Sequence, residues 1–194
     1  MRRQRYLLCS GLVLALFSCA GYADQDVDIT ATVINNTCHL EVGNNGVVRL
    51  PTVQRDYFAD DVTAETDYPG GKEFSIQLID CPVSDGKISQ VTINFSPQVG
   101  AMPAGNAQVF ANDLAASDNG AKNVGLAIFS SQADTPRANV LNSDGTTRAI
   151  YPVTAENYKN SLWTFYARMQ RILNTETITS GLLTTNVMVI ISYQ

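Results

Sequence analysis

Serine, lysine and histidine are the side chains here that could carry covalent chemistry, and two short runs invite the test. Ser84-Asp85-Gly86-Lys87 and Ser117-Asp118-Asn119 match, in order, two of the three elements of a serine–lysine acyl-transfer signature. That chemistry needs a helix to aim serine and lysine together, whereas Asp85-Gly86 favours a turn between strands, and no Lys-Thr-Gly element follows. The one histidine, His39, offers no cluster for a metal and no ready triad. Neither a G-x-S-x-G elbow nor a phosphate-cradling loop occurs. The expectation is a protein that is not an enzyme, with no catalytic residue, no cofactor and no metal site.

Cysteine chemistry is more informative, once the compartment is read. Arg2, Arg3 and Arg5 precede an apolar run from Leu7 to Phe17 that ends in Gly21-Tyr22-Ala23, the pattern of a secretory signal peptide over residues 1–23. The run has 11 residues, too few for the ~20 that cross a bilayer, so direct membrane insertion is not expected. Leu16-Phe17-Ser18-Cys19 offers a competing cut in which Cys19 is acylated, although Phe17 is bulky for that motif; this alternative stays open. Cys9 and Cys19 leave with the signal, and Cys38 and Cys81 remain as a pair in an oxidising compartment, where a single disulfide is the natural reading. In the chain-entropy view, closing such a loop contributes ~4 kcal/mol against the unfolded state.

Without the three signal arginines, ten basic residues face eighteen acidic ones, a net charge near −8 with no Lys/Arg run. Nucleic acid is therefore not expected as a partner. The remaining 171 residues suit one domain with a real core.

The elements that must position these residues follow a period of two. Val27, Ile29, Ala31 and Val33 alternate with polar neighbours, as do Phe74, Ile76 and Leu78. The rhythm returns at Val91, Ile93 and Phe95, at Val124, Leu126 and Ile128, and at Trp163, Phe165, Ala167 and Met169. Turn residues separate these runs at 43–46, 69–71, 84–86, 97–105, 117–120 and 142–145. No stretch of a dozen residues carries a helical stripe. The prediction is an all-β sandwich of immunoglobulin-like size and topology. Its last strand, from Asn186 to Tyr193 with Gln194 behind it, is an edge hazard unless another strand covers it, and the alternating segment before Cys38 is a spare strand.

Taken in order, the run before Cys38, Phe74 to Cys81, Asn123 to Ile128, Phe165 to Arg168, Gly181 as the fourteenth residue from the end and the penultimate Tyr193 resemble type 1 fimbrial pilins of the chaperone–usher kind. Within that family the chain looks most like minor tip-fibrillum adapter subunits. The resemblance implies an incomplete immunoglobulin-like sandwich lacking its last strand over residues 37–194, preceded by an N-terminal donor-strand extension over 24–36. It implies that the extension lies outside its own sandwich, with Val27, Ile29, Ala31 and Val33 filling a neighbour's groove. It further implies that Val187, Val189, Ile191, Tyr193 and Gln194 form the strand offered first to a periplasmic chaperone and then, at an outer-membrane usher, to the next subunit. Export through the periplasm to a cell-surface fimbrium would follow. A second function class is a secreted sandwich or adhesin whose loops, such as residues 101–107, bind a carbohydrate; against it, the spare strand follows the signal at once and leaves no room for a separate receptor domain. Trp163, Phe165 and Tyr166 are read as packing residues rather than a ligand platform.

Overall fold

Residues 29–31, 38–79, 88–133, 135–154 and 156–194 are described in a computed structural model of the chain, the first three by their backbone. Ten strands run in chain order: β1 (Ile29–Ala31), β2 (His39–Val42), β3 (Lys72–Ile79), β4 (Gln90–Pro97), β5 (Phe110–Ala111), β6 (Val124–Ser130), β7 (Ala138–Asn139), β8 (Ile150–Pro152), β9 (Leu162–Arg171) and β10 (Val187–Tyr193). No α-helix occurs among the described residues, only three short 3-10 turns. One sheet has the order β1-β10-β4-β8, and the other β2-β3-β9-β6-β5 with β7 also on β6. The result is the expected immunoglobulin-like all-β sandwich.

Alternation places one side of each long strand in the space between the sheets. Phe74, Ile76 and Leu78 of β3 meet Val91, Ile93 and Phe95 of β4, Trp163 and Phe165 of β9, and Val187, Val189 and Ile191 of β10 in one buried cluster. Phe165 sits at its centre, with ring centroids 5.5 Å from Phe74 and 5.2 Å from Phe95. Each such large side chain contributes on the order of 1.5–3 kcal/mol when fully buried, so this strip is the main source of stability. Trp163 and Phe165 are packing residues, as expected, and Tyr166 packs on the opposite face of β9 beside Phe129, Ala127, Val109 and Ala64.

That opposite face explains why β6 does not alternate. Val124 to Phe129 are all buried, because residues 57–68 cross over the outside of the second sheet as a strap. Long polar side chains hold the strap down. Arg168 donates from Nη2 to the carbonyls of Thr63 and Thr66 at 2.7 and 2.9 Å, and Gln170 donates to Val62 O at 2.9 Å. Tyr166 Oη donates to Tyr68 O at 3.0 Å and accepts from Gly71 N at 2.6 Å. A methyl group on Gly71 would press into both the Tyr166 ring and the backbone of Ala167, which is why glycine stands there.

Ile29–Ala31 pair in parallel with β10 of the same chain, Ile29 opposite Val187, Thr30 opposite Met188 and Ala31 opposite Val189. The edge of β10 away from β4 carries backbone groups that a neighbouring strand can answer, and this segment answers some of them.

Candidate functional site: the edge of the last strand

β10 is built for burial on one side and pairing on both. Val187, Val189 and Ile191 are between 0 and 2 % exposed, while Met188, Ile190 and Ser192 face the other way. β4 pairs antiparallel with the strand from Val187 opposite Pro97 to Tyr193 opposite Val91. On its other edge only Val187 to Val189 have a strand partner among the described residues, the short β1.

The far end of β10 is anchored within the chain. The backbone oxygen of Gln194 accepts from Ser89 N at 2.7 Å and Gln90 N at 2.9 Å, and Gln194 N donates to Gln90 O at 3.0 Å. Tyr193 packs against the core cluster, and its buried hydroxyl has no hydrogen-bond partner. Burial pushes the phenol above its ordinary pKa, so it stays a neutral, unanswered hydroxyl.

The near end is set by close backbone approach. Leu182 pairs with Gly120 in a parallel bridge, and Leu182 N donates to Asn119 O at 2.8 Å while Ala121 N donates to Leu182 O at 2.9 Å. Asn112, buried, donates to Ala121 O and Leu182 O and accepts from Leu114 N and Thr184 N, closing all its bonds. Asp113 adds a carboxylate that accepts from both nitrogens of Asn186, at 2.9 and 2.8 Å. Just upstream of β10 opens a cleft of about 530 Å³, walled by Leu50, Val53, Phe58, Val124, Ile178 and Leu183, with Arg55 at its lining.

Of the expected site residues, the structure brings Val187, Val189, Ile191 and Tyr193 together on the core side of β10 and ties Gln194 to β4. Ile29 and Ala31 lie in β1, whereas Val27 and Val33 fall outside the described residues. Cys38 is buried and disulfide-bonded; Cys81 falls outside the described residues. Ser84 to Lys87 fall outside them too. Ser117 closes a turn by donating to Leu114 O, with Asn119 beside it, and His39 is exposed opposite Ile79. Among the described residues no group of three His, Cys, Asp or Glu could hold a metal, and no helix is long and apolar enough to cross a membrane.

Sequence reasoning missed the Arg168 anchor and the cleft upstream of β10. A strand residue with charge in an otherwise apolar run, Tyr166-Ala167-Arg168-Met169, was the available signal for the first.

Two comparisons bear on this edge. Residues 27–194 match the family described as fimbrial protein. The chain is also 39 % identical, over 193 residues covering 98 % of it and 96 % of the relative, to an uncharacterized fimbrial-like protein of Escherichia coli strain K12, YadK.

Proposed function

The chain belongs to the fimbrial protein family, and on that premise we propose that it is assembled into its fimbria by donor-strand exchange along the chaperone–usher route. A fimbrial subunit is a structural, non-enzymatic component of a surface appendage and associates with other pilin subunits. The finer reading concerns how. The observation that carries it is the edge of β10 away from β4: a strip of buried Val187, Val189 and Ile191 whose strand pairs with β4 along its length and whose other edge is met, among the described residues, by Ile29–Ala31. An added strand on such an edge gains main-chain hydrogen bonds while alternate side chains fill pockets.

In this reading residues 1–23 are a signal peptide, 24–36 an extension and 37–194 the pilin domain. Val27, Ile29, Ala31 and Val33 of one subunit seat against β10 of the next, after a periplasmic chaperone and an outer-membrane usher have each held that edge. Cys38 pairs with Cys81, and the subunit occupies a minor, adapter position near the fibre tip. The local likeness of the strands around Phe74, Val124 and Phe165 supports the last point.

Incorporation into surface fibres tests the mechanism. Ile29→Asp should stop incorporation, since an unpaired carboxylate in an apolar groove costs several kcal/mol, while Thr30→Asp, on the alternate side of the strand, should be tolerated. Equal incorporation of the two variants would sink donor-strand exchange through this segment.

A further inference from the structure

We propose that the cleft upstream of β10 binds a small amphiphile, a monocarboxylate with an unbranched apolar tail, whose headgroup is held by Arg55. The cleft measures about 530 Å³, within the range of small-molecule sites. Its walls come from three parts of the chain that meet only on folding. Leu50 and Phe58 precede β3, Val124 and Met169 belong to β6 and β9, and Ile178 and Leu183 lie on the approach to β10.

The apolar lining is incompletely covered. Val124 and Leu183 are buried, but Phe58, Met169 and Ile178 pack against them with part of their surface still open. An alkyl chain laid in the cleft removes that surface from water, and burial of apolar area is favourable.

The charge in the lining selects the headgroup. Arg137, Arg148 and Arg171 are paired with carboxylates, and Arg168 with carbonyls. Arg55 is exposed, has no such partner among the described residues, and is the one charged residue among those that line the cleft. Its sequence neighbour Asp56 lies outside the lining. A guanidinium beside an apolar wall without acids suits a carboxylate and repels a cation.

A strand is the wrong shape of occupant here. No residue of β10 lines the cleft, and backbone beside it is already engaged. Leu182 N donates to Asn119 O at 2.8 Å, Leu182 O accepts from Ala121 N at 2.9 Å, and Thr179 N donates to Lys122 O at 3.3 Å. An incoming strand would lack ladder partners at these positions, whereas an alkyl chain needs none. The site is thus separate from the edge assigned to donor-strand exchange, and it stands whether or not that assignment holds.

The test is a methyl-detected NMR titration of the mature chain with octanoate, octanol and octyltrimethylammonium, each kept below the concentration at which it aggregates. Octanoate should shift the methyl signals of Val124, Ile178 and Leu183 saturably and bind more tightly than octanol, with octyltrimethylammonium the weakest. Arg55→Gln should lower octanoate affinity about fivefold, in the range of an exposed charge pair, and leave octanol binding unchanged. Lys159→Gln, outside the lining, should change neither. Absence of saturable shifts at these methyls, equal binding of the three probes, or unchanged octanoate affinity in Arg55→Gln would overturn the site. A peptide of residues 24–36 that shifts the same methyls and is displaced by octanoate would overturn it too, because the cleft would then receive a segment of a neighbouring subunit.

Discussion

A methyl group on Gly181 would stand within 2.5 Å of the carbonyl carbon of Gly120 and closer still to the amide nitrogen of Ala121. The chain entering β10 thus runs against the backbone of residues 119–121 with no space for a side chain. Gly181→Ala should destabilise the subunit by about 1–3 kcal/mol, because backbone rather than a flexible side chain must give way. Urea unfolding should record a lower midpoint with the slope unchanged. Gly100→Ala is the contrast: φ is +77° but nothing lies within 4 Å, so the cost is that of the left-handed backbone alone, roughly 1–2 kcal/mol. If Gly181→Ala proved the milder of the two, the close approach would not be what makes this glycine necessary.

Arg168 is fully buried and answers its charge with carbonyls, the Gln170 amide and the face of Phe129, whose centroid lies 4.9 Å from the guanidinium carbon. Burial pulls its pKa below the usual arginine value, with the buried Tyr57 hydroxyl among the neighbours that oppose the shift. Arg168→Met leaves the Thr63 and Thr66 carbonyls without this donor and loosens the strap. A loss of about 3 kcal/mol is expected, in the range for breaking a buried charged network. Limited proteolysis should then cut between residues 57 and 68 faster than in the wild-type protein, where the bonds to the Thr63 and Thr66 carbonyls hold the segment in place.

Glu65 gives the strap a pH dependence. Hydrogen bonds from Arg148, whose Nη1 lies 2.9 Å from Oε2, hold the Glu65 carboxyl below the usual glutamate range, and Gln108 adds to this. A depressed folded-state pKa means that its stabilising contribution is present above the unfolded value, near 4.3, and is lost as pH falls through the lower folded value. The pair is half-exposed, so less than about 1 kcal/mol is at stake. Thermal unfolding of Glu65→Gln should track wild type at the acid end of the titration and fall below it at neutral pH; a constant difference across the series would refute the assignment.

Removing Ser192 to Gln194 takes away the Gln194 bonds to Ser89 and Gln90 and the Tyr193 ring packed on the core. On the proposed assembly route this truncation, or Tyr193→Asp, should abolish recovery of a chaperone complex and lead to degradation in the periplasm. Normal accumulation and normal entry into fibres would show that the end of β10 is not what the assembly machinery holds.

Much of this was legible in the residues. The two-residue period of Phe74 to Leu78, Val91 to Phe95 and Val187 to Ile191 determined strands with one buried side, since side chains in extended backbone point alternately to opposite faces. The turn residues at 43–46 and 142–145 determined where the chain reverses, because Asn44, Asn45, Gly46 and Gly145 adopt positive φ. Gly181 and Tyr193 pointed to the family without explaining themselves. What tertiary structure alone decided is who meets whom across long stretches of chain. Burial of both faces of β6 depends on a strap about sixty residues earlier, and Arg168 is satisfied by carbonyls about one hundred residues away. The direction in which Ile29–Ala31 lie along β10 was equally hidden, for an alternating sequence fits a strand edge in either direction, and the parallel register with Ile29 opposite Val187 is seen only in the folded chain.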